Sequence, residues 1–285
     1  MRTYPECMSC FIRQARDAAG FAGADSGLLG SVAKKAQELI SAFDPSSSPP
    51  ESSVQIYDMV AEIMGKEDIY KEVKLSNNRM ALALYPELKN TLRSARDPLL
   101  LAVRMAVAGN IIDYGVSHVF DVKKELEQCA DRDFAVFDYK AFREEVSSAR
   151  NILYLLDNAG EIVMDKLLIE TMGKNVTAVV REGPIINDVT IEDAVYIGLD
   201  KVCRVISSGC RAPGTILEKC NEELIKCYNT ADMVISKGQG NFETLAGSAE
   251  RRIFFIFKAK CPVVAKYVGC DLGDILLKVM PAVSL

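Results

Sequence analysis

From residue 150 onward, short apolar runs alternate with helical patterns, and this alternation restricts the possible fold more than any other feature of the sequence. Runs of this kind separated by helices favour a doubly wound, largely parallel sheet with helices on both faces. The predicted strands are Ile152–Leu156, Val176–Val180, Val202–Ile206, Met233–Ser236, Ile253–Phe257 and Ile275–Val279. The predicted helices between them are Ile162–Met172, Ile191–Ile197, Gly214–Tyr228, Asn241–Gly247 and Pro262–Val268.

The residues before this alternation predict helices only. One apolar helix should begin at Pro98, capped by Asp97, and run to Ile112, while Pro86 should interrupt the helix before it. We therefore expect an all-helical domain over residues 1–90 and an α/β domain over residues 91–285. The other predicted helices are Cys7–Gly20, Ser26–Phe43 with Ser26 as its N-cap, Ser52–Gly65 and Ile69–Leu84.

Composition excludes several classes of protein. A net charge of −5 argues against a nucleic-acid partner, and no apolar run approaches the length of a membrane-spanning helix. Nine cysteines, an odd number, and no apolar leader at the N-terminus predict a cytoplasmic protein with reduced thiols. The single histidine, His118, which we expect at a helix cap or the surface, excludes Ser-His-Asp, Cys-His and multi-histidine zinc chemistry. The oligomeric state is left open.

Polar side chains follow the first two predicted strands. Asp157 and Asn158 follow one, and Asp188 lies in the loop after the next. Parallel strands end at a common edge, where ligands of such sheets bind. Two carboxylates and an amide oxygen suit a hard divalent cation such as Mg²⁺ or Mn²⁺. The alternative is that Asp157 and Asp188 are N-caps of the helices that follow them.

Lys237 ends the fourth predicted strand and begins a glycine-rich turn into a helix. Backbone amides at such a turn, together with a lysine charge, suit a phosphate. The alternative is an ordinary strand–helix turn with a solvated lysine. The turn carries the first two glycines of a dinucleotide fingerprint, at Gly238 and Gly240, but Glu243 replaces the third, and no P-loop pattern is present here.

Two further features permit a functional and a structural interpretation. Cys7 and Cys10 form a single CxxC pair, which could bind a metal with help from elsewhere or act in redox chemistry, or could be two helical cysteines of which one is buried. Asn110 and Asp113 lie three residues apart in an apolar helix. They could make structural hydrogen bonds, or their face could cover the site.

Five short motifs in this order and spacing resemble the damage-control phosphatase family, formerly domain of unknown function 89 and also called acidic-residue-methyltransferase-1-like. The likeness covers essentially the whole chain, and the CxxC pair is typical of the stand-alone, mostly prokaryotic branch. The motifs are PECMSC from Pro5, AGNIID from Ala108, DNAGE from Asp157, PIINDVT from Pro184 and KGQGNFE from Lys237.

The resemblance implies a Rossmann-like three-layer α/β/α domain with a mostly parallel sheet, preceded by an all-helical domain. It also implies a phosphatase that uses Mn, Co, Ni or Mg to hydrolyse sugar phosphates or damaged phosphometabolites. By motif match, Asp157, Asn158 and Asp188 would hold the metal, and Asp157 and Lys237 would be catalytic. The substrate-binding residues implied in the same way are Asn110, Glu161, Lys237 and Asn241.

The chemistry leaves a choice of nucleophile. We expect a metal-activated water to attack phosphorus. Attack by Asp157 itself would resemble aspartyl-phosphate chemistry, but Ala159 stands where haloacid-dehalogenase-type enzymes place their acid. Two other functions stay open at this stage: a nucleotide- or S-adenosylmethionine-binding protein, and a metal or redox module built on Cys7 and Cys10.

Overall fold

The computed structural model describes residues 1–111, 133–247 and 253–280. The predictions for Asp113 and His118, and for the side chain of Asn110, lie outside the described residues. The helices are α1 (Pro5–Phe21), α2 (Ser26–Ile40), α3 (Pro49–Met64), α4 (Lys71–Ser94), α5 (Pro98–Ile111), α6 (Tyr139–Ser148), α7 (Glu161–Met172), α8 (Ile191–Tyr196), α9 (Glu222–Thr230), α10 (Gln239–Leu245) and α11 (Pro262–Val268). The strands are β1 (Val136–Phe137), β2 (Asn151–Leu155), β3 (Asn175–Val180), β4 (Arg204–Ser207), β5 (Met233–Lys237), β6 (Ile253–Lys258) and β7 (Ile275–Met280).

Within the described residues, these seven strands form one sheet in the order β1-β7-β6-β5-β2-β3-β4. The five strands from β6 to β4 are parallel. Strand β7 runs antiparallel to β6, and β1 runs parallel to β7. The predicted, mostly parallel α/β sheet is thus confirmed. The chain order reverses between β2 and β5, which is the point at which such sheets bind ligands.

Alternate side chains of the strands fill a core on each face of the sheet. Tyr154 and Ile235 lie in the core under α4, α5 and α7, whereas Leu155 and Val234 lie in the core under α9, α10 and α11. Every one of these side chains is buried because both faces of the sheet are covered. Helices on both faces give the three layers that were expected.

Helices α1, α2 and α3 form a separate core around Phe11, Val32 and Ile56, into which Ile185 from the loop after β3 inserts. Helix α4 instead packs on the sheet through Leu88 and other residues. The predicted domain boundary at residue 90 falls inside α4 and stays a prediction. No helix in the described parts of the chain has the length and apolarity needed to cross a bilayer.

Helix α4 continues through Pro86, so the predicted interruption there is wrong. The buried face of α4 includes Ala81 before the proline and Leu88 and Leu92 after it, and all three lie in the sheet core. A proline inside a helix removes one backbone hydrogen bond, but burial of an apolar face on both sides of it offsets that loss.

The N-cap of α2 and the start of α9 differ from the prediction. The N-cap of α2 is Asp25 rather than Ser26, since its carboxylate accepts the Leu28 N–H at 2.8 Å. The helix predicted from Gly214 begins only at Glu222, because the Asn221 side chain caps it there and a short 3-10 turn precedes it. The Asp97 cap of α5 is confirmed by a bond from the Leu100 N–H at 3.1 Å.

Candidate active site

Two loops at the carboxyl edge of the sheet bring the three predicted metal ligands together. The loops after β2 and β3 pair through an antiparallel bridge between Asn158 and Asp188. The Val189 N–H donates to the Asp157 carbonyl at 2.8 Å, and the Ala159 N–H donates to the Asn187 carbonyl at 2.8 Å. Asp157, Asn158 and Asp188 therefore lie side by side at the point where the strand order reverses.

Neither carboxylate caps the helix that follows it, so the capping alternative is wrong. The N-cap of α7 is Gly160. The N-cap of α8 is Thr190, whose backbone N–H and hydroxyl both donate to the Asp193 carboxylate, at 3.0 and 2.9 Å. The functional interpretation of Asp157 and Asp188 as metal ligands stays a prediction.

The two carboxylates are buried next to each other. Asp157 is 8% exposed and Asp188 is 3% exposed. Burial, followed by the charges of Asp188 and Glu161, raises the pKa of Asp157 to about 8. Burial also raises the pKa of Asp188, although Arg181 opposes the shift. A cation placed between these groups would relieve both the desolvation and the repulsion.

The chain immediately before Asp188 has a strained backbone. Ile186 has a φ of 46°, in the left-handed region that β-branched residues rarely adopt. Such strain costs about 1–3 kcal/mol and persists where the surrounding structure fixes the conformation. Here Ile185 and Ile186 pack against the core of α1–α3, so these three helices fix the loop that carries Asp188.

Arg181, which was not predicted from the sequence, forms ion pairs with both carboxylates. Its Nε donates to Asp188 Oδ2 at 2.7 Å, and its Nη2 lies 3.9 Å from Asp157 Oδ1. Its Nη1 donates to the side-chain oxygen Oδ1 of Asn241 at 3.2 Å. Arg181 is only 2% exposed. Arg181 directly follows β3, so the strand-end rule that identified Asp157 also applies to it.

Asn241, predicted to bind substrate, is completely buried. Its amide nitrogen donates to the carbonyls of Leu156 and Lys237 at 3.1 and 2.8 Å. Its carbonyl oxygen accepts from Arg181 and from the Thr215 hydroxyl, the latter at 2.8 Å. Asn241 thus ties the ends of β2 and β5 to Arg181, and its role toward substrate stays a prediction.

Lys237 lies in a buried cluster of charges behind the carboxylate pair. Its Nζ donates to the Ala106 carbonyl at 3.0 Å, to Glu161 Oε1 at 2.5 Å and to Asp165 Oδ1 at 2.6 Å. These three acceptors match the three hydrogens of an ammonium group. Glu161 is 1% exposed, and its other oxygen accepts from the Asn158 amide at 3.2 Å. The phosphate contact predicted for Lys237 and the substrate contact predicted for Glu161 stay predictions.

The glycine-rich turn after Lys237 is filled by protein atoms. A Cβ at Gly238 would lie 2.0 Å from Asp157 Oδ2, and a Cβ at Gly240 would lie 2.0 Å from the Pro213 carbonyl oxygen. The Gly238 N–H donates to the Ile256 carbonyl at 3.0 Å. The glycines therefore allow the strand-end loops to approach each other closely and leave room for the Asp157 carboxylate.

A cavity of about 540 Å³ opens over the carboxylates. Residues after each of the five parallel strands form one side of it, and residues of α1 and α3 form the other. Cys7 and Cys10 are on the α1 side and Cys261 is on the sheet side. Burial raises the pKa of both Cys7 and Cys10. The CxxC pair therefore shares a cavity with Asp157 and Asp188, as uncharged thiols at neutral pH.

The predicted residues thus divide into two groups. Asp157, Asn158 and Asp188 line the cavity, whereas Glu161, Lys237 and Asn241 lie buried beneath it. Within the described parts of the chain, no three His, Cys, Asp or Glu side chains are arranged so that they could hold a metal ion. A cation at this edge would therefore depend on the Asn158 amide oxygen and water in addition to the two carboxylates.

Comparison with known proteins covers almost the entire chain. Residues 3–276 match the family model of the damage-control phosphatase ARMT1-like domain. A damage-control phosphatase of Pyrococcus horikoshii is 36% identical over 97% of both chains, and one of Archaeoglobus fulgidus is 33% identical over 98% of this chain and 100% of its own. The crystal structure of a DUF89 family protein from Pyrococcus horikoshii superposes with a TM-score of 0.90 at 34% identity, over 99% of this chain and 100% of that one.

Proposed function

This chain belongs to the damage-control phosphatase ARMT1-like family, and on that premise we propose that it hydrolyses small phosphate monoesters with the help of a divalent cation. The single observation that carries the proposal is the placement of Asp157, Asn158 and Asp188 side by side beneath a cavity of about 540 Å³. A cavity of this volume suits a small phosphorylated metabolite, such as a sugar phosphate or a damaged phosphate ester.

The donor set suits a hard cation. Asp157 and Asp188 supply carboxylate oxygens. The Asn158 amide nitrogen donates to Asp157 Oδ2 at 2.7 Å, which leaves its carbonyl oxygen as the atom that could bind a cation. The raised pKa of both buried carboxyls also fits a site that needs a compensating positive charge. A divalent cation held there would draw charge from a phosphoryl oxygen and lower the pKa of a water molecule.

The surrounding side chains orient this set. Arg181 holds Asp188 through its 2.7 Å bond, and Thr215 and Asn241 in turn fix its guanidinium. Lys237 balances the charge of Glu161, whose second oxygen accepts from Asn158. Each residue that would bind a cation is thus positioned by a buried partner, as catalysis that depends on accurate geometry requires.

Phosphoryl transfer needs positioning and charge neutralisation more than covalent chemistry by the protein. In the proposed reaction, the oxygen of water bonds to phosphorus while the ester P–O bond breaks. One proton of the water ends on the departing alcohol and the other on the released phosphate. Attack by water requires no covalent adduct, so a phosphorylated Asp157 trapped by rapid quenching would refute this route.

Turnover of an aryl phosphate by the purified protein tests the proposal. We expect hydrolysis with at least one of Mn²⁺, Co²⁺, Ni²⁺ and Mg²⁺, and we expect a chelator to stop it. Asp157→Ala and Asp188→Ala should each lower kcat/KM by at least about 100-fold, because each removes a predicted ligand.

Asp200→Ala is the matched control, since Asp200 is an exposed carboxylate on the loop between α8 and β4. It should retain full activity. Melting curves and circular dichroism should show that all three variants are folded. Full activity in both ligand variants, or equal activity with and without chelator, would disprove the proposal.

A further inference from the structure

One asparagine of α4 forms hydrogen bonds at the ends of both loops that carry the predicted metal ligands. The Oδ1 atom of Asn78 accepts the Gly160 N–H at 2.7 Å, and its Nδ2 atom donates to Asp193 Oδ1 at 3.0 Å. Gly160 comes two residues after Asn158 in the loop after β2. Asp193 lies in the first turn of α8, which directly follows the loop after β3. Asn78 therefore connects the two loops from the side of α4.

Asp193 attaches the loop after β3 to this asparagine. Its Oδ2 atom accepts from the backbone N–H and the hydroxyl of Thr190, at 3.0 and 2.9 Å, and Thr190 comes two residues after Asp188. The same oxygen accepts from Lys74 Nζ at 3.2 Å. One carboxylate oxygen of Asp193 is thus bonded to Asn78, and the other is bonded to Thr190 and Lys74.

These contacts are shielded from water. Asn78 is 1% exposed, and Lys74 and Asp193 are buried as well. Lys74 also forms an ion pair with Asp68 at 3.1 Å, so the charge of Asp193 is part of a buried network. A buried hydrogen bond to a charged group is among the stronger ones, and the loss of one partner leaves the other unsatisfied. The loops are therefore held firmly against α4.

We propose that Asn78 is a positioning residue, which sets the separation of the two loops and thereby the affinity of the site for a divalent cation. The direct connection between the loops is the short antiparallel bridge between Asn158 and Asp188. The bonds of Asn78 add a second connection, on the α4 side of that bridge. Groups that orient metal ligands strongly affect the affinity for the metal. This inference rests on the function proposed above.

The test compares Asn78→Ala with Asn77→Ala. Asn77 precedes Asn78 in α4 and is also 1% exposed, and its amide nitrogen has no hydrogen-bond partner in the described parts of the chain. Its variant therefore controls for the truncation of a buried asparagine in this helix. Calorimetry gives the affinity of each protein for Mn²⁺. We expect Asn78→Ala to raise the Kd for Mn²⁺ about 10–100-fold and Asn77→Ala to stay within about threefold of the wild type.

Asn78→Asp is the second variant, in case Asn78→Ala does not fold. An ionised aspartate of the same size can still accept the Gly160 N–H, but it has no hydrogen to donate and places a negative charge against Asp193. It should therefore weaken Mn²⁺ binding in the same way as Asn78→Ala.

Hydrogen exchange followed by mass spectrometry without added metal makes the test independent of both metal binding and turnover. Exchange over residues 157–161 and 187–194 should be faster in Asn78→Ala than in the wild type, and unchanged in Asn77→Ala. Unchanged exchange and unchanged Mn²⁺ affinity in Asn78→Ala overturn the inference, as does an equal loss of Mn²⁺ affinity in Asn77→Ala.

The two proposals can fail separately. If the inference is overturned but the wild type hydrolyses aryl phosphate with metal, the proposed function stays intact. If the wild type neither binds Mn²⁺ nor shows turnover with any of the four metals, the proposed function is contradicted. Hydrogen exchange then still decides whether Asn78 fixes the two loops.

Discussion

Gly238→Ala is the perturbation that tests the geometry of the site most directly. Gly238 has a φ of 80° and a ψ of 158°, a conformation essentially restricted to glycine. A Cβ there would lie 2.0 Å from Oδ2, 2.1 Å from Cγ and 2.5 Å from Oδ1 of Asp157. All three distances are far below van der Waals contact, so the carboxylate would have to move by more than an ångström.

Two contributions to the loss of stability follow from this geometry. The backbone conformation should cost about 1–3 kcal/mol for alanine. Displacement of the buried carboxylate should add about 1–3 kcal/mol, as overpacking of a core does. In an Asp157→Ala background the atoms that clash are absent, so Gly238→Ala should there cost only the backbone contribution. Because a misplacement of about 1 Å can lower the rate of an enzyme 100-fold, the single variant should also lose most of its activity.

The assay is a double-mutant cycle in urea, with the free energy of unfolding measured for the wild type, both single variants and the double variant. Gly173→Ala serves as a control, since Gly173 also has a positive φ, of 59°, but no atom within 4 Å of a Cβ. It should lose about 1 kcal/mol and retain activity. If the effects of Gly238→Ala and Asp157→Ala add to within about 0.5 kcal/mol, the Asp157 carboxylate does not clash with a Cβ at residue 238 as the distances require.

Three further predictions use the buried charges and thiols. Lys237→Met leaves the buried carboxylates of Glu161 and Asp165 without a cation and should lower the free energy of unfolding by about 3–5 kcal/mol at pH 8. The loss should be smaller at pH 5, because burial raises the pKa of Asp165 to about 6 and this carboxyl takes up a proton there; a loss in urea below about 1 kcal/mol at both pH values would contradict this. Burial raises the pKa of Glu243 to about 7 from its usual 4.5, so the folded state binds the proton of this carboxyl more tightly than the unfolded state does. The free energy of unfolding of the wild type should therefore fall by up to about 3 kcal/mol as the pH rises from 4 to 8. Glu243→Gln should flatten that dependence, and an unchanged slope would argue against it. The double change Cys7→Ser and Cys10→Ser should alter turnover less than about threefold, because uncharged thiols are weak nucleophiles and ligands; a larger fall would show that the thiols take part.

The parallel strands could be predicted from sequence because each is an apolar run bounded by polar or glycine-rich turns. The run Ile152–Leu156 appears in the structure as Asn151–Leu155, a shift of one residue. The direction of β7 could not be predicted in this way, since a buried antiparallel strand and a buried parallel strand have the same pattern. Strand β1 has only two residues and exists through its pairing with Leu276 and Leu277. The direction of β7 and the existence of β1 both depend on contacts between residues that are far apart in the sequence.

The position of the carboxylate site could be predicted from sequence because the ends of parallel strands lie at one edge of the sheet. This holds whichever way the side chains at those ends point. The direction of a long side chain does not follow from that rule. Lys237 ends β5, but the Ala106 carbonyl on α5 and two carboxylates on α7 direct its ammonium group beneath the site. The cavity over the carboxylates could not be predicted either, since it depends on α1 and α3 packing opposite the strand ends.

That cavity is built from two parts of the chain with different tasks. The loops after the strands carry the groups proposed for chemistry, whereas Glu6, Ser9, Arg13 and Gln14 of α1 and the start of α3 at Pro49 contribute the opposite wall. Changes in α1 and α3 could therefore alter which metabolite is accepted and leave the reaction itself untouched. Engineering of substrate choice in this scaffold should start with libraries of substitutions in those two helices. The residues proposed for catalysis, in the loops after the strands, can then be kept unchanged.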